Sequence, residues 1–381
     1  MSKQIHNRFY RFLSFLLLAA FLLGSAAGCS ARREPVSRTE FFFDTVITLT
    51  IYDGPSTDET FHRAFALCRR YEDLFSRTRE GSDIWNIAHR GDRSSVSVDP
   101  ETAGLITEAL RLAELSDGAF DPTVLPLAEL WTEARETKTV PSPETVAALL
   151  PAVDWKGVYL TRYDKVLPSG ISQEQYRTEY EKTDAYAQGK IWLVTLEPHV
   201  KGLDLGAVAK GYIADRLKEQ LLADGVKSAL IDLGGNLLCV GEKPGGNAFV
   251  LGVQQPFAPA GETAFSLSVK DKSLVTSGTY ERFFETDGIR YHHLIDPKTG
   301  YPYQNGLMFQ HEPAGCAMDR LNSVTILSDS SLEGDGYSTM CFALGPADGL
   351  KLAEDTPGIE AAFLFESGKV LTTTGFPYKA K

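Results

Sequence analysis

The stretch FFFDTVITLTIY, Phe41 to Tyr52, alternates apolar and β-branched residues with polar ones, and a two-residue period of that kind belongs to a strand with one buried face. A sheet therefore opens the fold. Two helical stretches follow. Thr57 to Arg77 sets Phe61, Phe65, Cys68 and Leu74 near one stripe, and Pro100 to Leu115 does the same with Ile106, Leu110 and Ala113. Both read as helices laid over that sheet. Farther on, SALIDLGGNLLCVG, AFVLGVQQP, SLSV and SVTILS read as strands, whereas GYIADRLKEQLLAD and GDGYSTMCFALG read as helices. Strands and helices mix without a regular βαβ cadence. The class is therefore α+β, with a mixed, largely antiparallel sheet packed with helices. Between WKGVYL and KIWLVTL, Thr161 to Gly189 is polar and lacks apolar periodicity, so it reads as an exposed excursion.

Composition sets the outer limits. With 381 residues, 43% hydrophobic and 23% charged, the chain can bury a sizeable core. Its formal charge of −12 argues against nucleic acid as a partner. Residues 1–28 hold Lys3, Arg8 and Arg11 ahead of the apolar run FLSFLLLAAFLLG, which is short for a membrane span and reads as a secretory signal. That run ends in SAAGC, which resembles the lipobox of bacterial lipoproteins. Cys29 would then be the lipidated mature N-terminus, anchored outside the cytoplasm; a plain signal peptide or an uncleaved anchor is the alternative. Residues 29–38 read as a polar tether and 39–381 as the working domain, with residues 161–189 as an insertion. The remaining cysteines, Cys68, Cys239, Cys316 and Cys341, show no zinc or C-x-x-C spacing, and no disulfide framework is expected.

Four stretches carry candidate chemistry. In LDLGAVAKGYIADRL, Asp204 and Gly206 precede a helix and Lys210 lies in its opening turns, a natural seat for phosphate. A capping Asp and a packing Gly would explain the same letters. In LIDLGGN, paired glycines end a strand, where they serve either a ligand or a simple turn. GDGYSTM sets Asp335 and Thr339 four apart, a carboxylate and a hydroxyl on one helix face, hard donors that suit Mg²⁺ or else an ordinary solvated surface. HHLIDPKTG, His292 to Gly300, puts two histidines before a tight turn. On a strand they point to opposite faces, so one can serve as a general base while the other is buried, and periodicity does not say which.

Taken in order, FDTVITL, FSRTREGSDIWNI, LSDGAFDPTVLPLAELW, LDLGAVAKGYIADRL, ALIDLGGNLLCVG, VTSGTYERFFETDGIRYHHLIDPKTGYP and SVTILS…GDGYSTMCFALG resemble the ApbE family of FAD:protein flavin transferases, from about Phe41 to the C-terminus. The resemblance implies a T-fold-like architecture. It also implies FAD as substrate, Mg²⁺ as cofactor, and transfer of FMN to a threonine of a protein carrying a Ser/Thr-Gly-Ala-Thr type of motif, with release of AMP. Hydrolysis of FAD to FMN and AMP, or storage of FAD without turnover, are the alternatives. By the same resemblance Asp335, Thr339 and the Ala207 carbonyl hold the metal. Phe43, Ala119, Phe120, Asp121, Asp204, Lys210 and Leu294 line the FAD site, and His293 is catalytic. Tyr280 is a further candidate wall for the flavin. Thr78 stands where the family often has an aromatic, and Phe43-Asp44-Thr45 replaces its Met-Gly-Thr.

Overall fold

The computed structural model describes residues 34–164, 190–259, 261–308 and 318–378. Within them FFFDTVITLTIY is not one strand. Strand Val36–Phe42 pairs antiparallel with Thr45–Asp53, and the connection is Phe43-Asp44, at φ 53° and 55°. Two positive φ values mark a type I′ hairpin turn, a conformation that residues with a Cβ resist. Here the turn is held from outside, because the Phe43 N–H donates to Glu72 Oε1 at 2.8 Å.

From that hairpin the sheet continues through Ser228–Leu233, Asn236–Gly241, Ser273–Gly278, Met318–Ser328, Glu360–Phe365 and Val370–Thr372, with Gly306–Met308 also on Met318–Ser328. Each of these pairings is antiparallel, as the α+β reading expects. Strand Thr45–Asp53 buries Ile47, Leu49 and Ile51 and leaves the intervening residues partly exposed, which is the period the sequence shows.

Helices Asp58–Phe75, Pro100–Leu115, Ala209–Ala223 and Ser331–Asp355 contribute to the main core with that face of the sheet. Thr57 caps the first and Asp99 the second, the latter with Pro100 in the opening turn, so both begin where their sequence signals stand. Hairpin Phe249–Gln254/Thr263–Val269 makes a second cluster with Cys239, Leu274, Leu327 and Ala362. A third joins helix Leu125–Thr137 to hairpin Phe283–Thr286/Ile289–His292 through Leu127, Trp131, Phe284 and Ile295.

The polar excursion begins later than its composition suggests. Strand Val158–Asp164 pairs antiparallel with Lys190–Leu196, so residues 161–164 are ladder, and residues 165–189 lie outside the described part. Outside it too are residues 1–33, with the signal and Cys29, and Cys316. Cys68, Cys239 and Cys341 are free and buried, and burial pushes each thiol up to about 12. Among the described residues no helix is long and apolar enough to cross a membrane.

Candidate active site

One cleft of about 1220 Å³ draws its walls from all three clusters, and among its lining residues are Phe43, Ala119, Phe120, Asp121, Asp204, Ala207, Lys210, Tyr280, His293, Leu294, Asp335 and Thr339. These residues are separated by up to 296 positions in the chain, and the fold brings them together. The volume exceeds the roughly 300–1,000 Å³ of common small-molecule pockets, which leaves room for an extended ligand.

The two histidines have different fates. Hairpin Phe283–Thr286/Ile289–His292 turns at Asp287-Gly288, φ 51° and 72°, and delivers His292 at its end. The His292 ring is buried; its Nδ1 accepts from the Leu294 N–H at 3.2 Å, so Nε2 carries the proton it donates to the Tyr303 carbonyl at 2.9 Å. Both ring nitrogens are committed to backbone. Burial lowers its pKa to about 4, and the nearby Arg290 adds to the effect. His293, next in the chain, turns the other way and exposes its ring in the cleft, with its backbone N–H held by the Arg282 carbonyl at 3.1 Å. Enclosure by the cleft walls, then His292, Arg282 and Lys210, lowers the pKa of His293 from its ordinary value. The imidazole is therefore neutral at pH 7, the state that can accept a proton.

Asp335 and Thr339 do share one helix face toward the cleft. Asp335 is buried, and its Oδ2 accepts from the Gly211 N–H at 2.9 Å while Lys210 Nζ stands 3.6 Å from Oδ1. Burial raises the pKa of this carboxyl, while Lys210 and the backbone of Lys210 and Gly211 oppose the rise. Thr339 Oγ1 lies 3.0 Å from Ser277 Oγ, itself 2.8 Å from Ser338 Oγ. At the helix start the Ala209 N–H goes to the Leu205 carbonyl and those of Lys210 and Gly211 to Asp335, so it offers the Lys210 side chain rather than bare N–H groups to a ligand. Paired Gly234 and Gly235 likewise use their amides internally, on the Val46 carbonyl at 3.1 Å and Asp232 Oδ1 at 2.9 Å. Of the two readings open for LIDLGGN, the turn accounts for the hydrogen bonds.

Other expected residues shape the walls. Asp121 Oδ1 accepts from the Thr123 N–H and hydroxyl and Oδ2 from the Trp155 N–H, so its carboxylate knits the Ala119–Asp121 loop. Tyr303 fixes the same loop through a 2.7 Å bond to the Ala119 carbonyl. Asp204 accepts from the Gly206 N–H at 2.8 Å and pairs with Arg77 at 3.5 Å. Sequence reasoning did not single out Arg77, Asp232, Ser277, Glu281 or Arg282, all of which line the cleft. Glu281 and Arg282 stand within the VTSGTYERFFETDGIRYHHLIDP run, and their charge beside two histidines was the available signal. Burial raises the Glu281 carboxyl, with Lys210 and Arg282 opposing.

Carboxylate, hydroxyl and carbonyl oxygens make a hard donor set that fits Mg²⁺, which takes few protein ligands. Among the described residues no group of three or more His, Cys, Asp or Glu is placed to hold a metal ion, so a metal at this face would rest on one carboxylate with neutral oxygens. The apolar walls at Phe43, Phe120, Tyr280 and Leu294 suit a flat ring system.

Comparison with known proteins gives concordant results. The profile of the ApbE family matches residues 43–363. The chain is 31% identical over 371 residues to an FAD:protein FMN transferase of Treponema pallidum, covering 94% of this chain and 92% of that one. It is 34% identical over 312 residues to an FAD:protein FMN transferase of Klebsiella pneumoniae, covering 82% and 84%. The crystal structure of the ApbE protein from Thermotoga maritima superposes with a TM-score of 0.71 at 28% identity, over 90% of this chain and 98% of that one.

Proposed function

This chain belongs to the ApbE family, and from that premise we propose that it is an enzyme, an FAD:protein FMN transferase, with FAD as its flavin substrate and a protein as acceptor. The finer proposal is a Mg²⁺-dependent transfer of FMN to a threonine hydroxyl, forming a phosphoester and releasing AMP. One observation carries it. A neutral imidazole, a carboxylate–hydroxyl pair on one helix face and a lysine all open on the same cleft.

In this reading Asp335, Thr339 and the Ala207 carbonyl hold the ion, which when bound supplies charge neutralisation at the diphosphate. Lys210, 3.6 Å from Asp335, binds the phosphates, with Arg282 on the cleft wall near His293 adding positive charge. Their charge is then offset by the ligand, which relieves one cause that holds the His293 pKa down. His293 takes the proton from the acceptor hydroxyl as its oxygen attacks the FMN phosphorus, and AMP leaves. No covalent enzyme intermediate is needed. Phe43, Phe120 and Leu294 seat the rings, and Asp121 and Asp204 fix the loops that carry them.

We place this activity outside the cytoplasm, on a chain anchored through lipidated Cys29, because the N-terminal charge, apolar run and SAAGC follow that order. The acceptor is then a flavin-carrying redox subunit with the Ser/Thr-Gly-Ala-Thr type of motif. The purified full chain incubated with FAD, Mg²⁺ and such a peptide should add the mass of FMN to the peptide's threonine. AMP formed at the same rate without peptide, and no added mass, would identify a hydrolase instead.

A further inference from the structure

We propose that Asp215, which does not line the cleft, is a positioning residue for the Asp335–Thr339 face, and that it acts through reciprocal capping of two helix starts. The proposal rests on the metal reading above for its consequence, but not for its geometry.

Asp215 sits in the second turn of helix Ala209–Ala223. Its Oδ1 accepts from the Ser331 N–H at 2.8 Å, and its Oδ2 from the Leu332 N–H at 3.0 Å and the Ser330 hydroxyl at 2.7 Å. One carboxylate thus satisfies the first two amides of helix Ser331–Asp355, groups that have no partner inside the helix. In exchange, Asp335 of that second helix accepts from the Gly211 N–H at the start of the first. Each helix lends an acid to the other's opening turn, where a negative charge is also favoured by the dipole.

The two starts touch closely enough to make this a single joint. A Cβ on Gly211 would lie 2.2 Å from the Ser331 carbonyl oxygen, so only glycine permits the approach. Ser331 Oγ donates to Asn236 Oδ1 at 2.6 Å, which ties the joint to the sheet. Asp335 lies one helical turn beyond Ser331 and Thr339 one turn beyond that. Whatever fixes the rotation of the first turn therefore fixes the face presented to the cleft. Without Asp215, two amides lose their acceptor, the first turn is released from helix Ala209–Ala223, and Asp335 loses the depth and rotamer in which it caps Gly211.

The test uses the purified full chain and MgCl₂ alone, with affinity read by titration calorimetry and amide protection by hydrogen exchange. Asp215→Ala should weaken Mg²⁺ binding by roughly 10- to 100-fold, the range for loss of a group that orients metal ligands. It should also speed exchange at Gly211 on the other helix, not only at Ser331 and Leu332. Asp215→Asn should recover only part of both, since its single carbonyl oxygen replaces one of the two accepting oxygens while its NH₂ faces a donor. A lower melting temperature with unchanged Mg²⁺ affinity and unchanged Gly211 protection would overturn the proposal and leave Asp215 a simple cap. If the unaltered chain binds no Mg²⁺, the metal reading falls, and Gly211 protection alone decides the joint. Should Asp215→Ala fail to fold, Ser330→Ala removes one of its three donors and should speed Gly211 exchange measurably; no change there would also overturn it.

Discussion

Replacing His292 by Gln should flatten one part of the protein's stability profile against pH. In the folded state burial holds the His292 pKa at about 4, against the usual 6.5. The sign follows from proton counting. Between those two values the unfolded chain binds more protons than the native one, so the contribution of His292 is complete above pH 6.5 and is lost as pH falls toward 4. At about 1.4 kcal/mol per pH unit, the loss is roughly 3 kcal/mol. The buried carboxyls Asp83, Asp121, Asp232 and Asp335, whose pKa values burial raises, act in the opposite direction. The raw curve therefore mixes signs, and the informative quantity is the gap between the unaltered protein and the variant. Urea unfolding from pH 4 to 7.5 reads that gap. At pH 7 Gln should cost about 1–3 kcal/mol, because the Leu294 N–H loses its acceptor. On acidification the gap should close by roughly 3 kcal/mol. A gap that stays constant across the range would refute the assignment of His292 as a buried, neutral, backbone-bound ring.

The neighbouring histidine should behave differently: His293→Ala should leave FAD affinity nearly unchanged while slowing transfer by about 10²–10⁴, as loss of a general base does, and stopped-flow kinetics with fluorescence binding separates the two. Asp335→Ala should abolish Mg²⁺-dependent turnover and also lower stability, because the Gly211 N–H loses its acceptor. Thr339→Val should impair turnover with a much smaller effect on unfolding, and equal unfolding midpoints for the two variants would contradict the double role of Asp335. Gly211→Ala should destabilise by about 1–3 kcal/mol or more in thermal unfolding, since its methyl meets the Ser331 carbonyl backbone rather than a movable side chain.

Much of this was legible in the chain because the signals were local. Helix Pro100–Leu115 runs over the residues its periodicity marks, because Asp99 and Pro100 start it and no competing pattern intrudes. The buried His292 and exposed His293 match the alternation of a strand, although the strand ends at His292 and His293 stands at the bend just past it. The hairpin at Phe43-Asp44 was not legible: neither residue announces a positive φ, and the bond that holds the turn comes from Glu72, on another element. Helix Ser331–Asp355 runs past Gly345, where the sequence invites a stop. The chain does leave helical geometry there, at φ 79°, and then resumes. The reciprocal caps join residues more than a hundred positions apart. Asp215, Gly211 and Asp335 look in sequence like separate helix residues, and only the crossing of two helices shows that they form one joint.

In the proposed chemistry the Asp335–Thr339 face and the His293 ring converge on one diphosphate. A crystal of the protein soaked with FAD and MgCl₂ tests it directly. The prediction is a metal ion on Asp335, Thr339 and the Ala207 carbonyl, touching the diphosphate, with His293 beside the FMN phosphorus. A diphosphate bound elsewhere in the cleft, remote from those side chains, would contradict it.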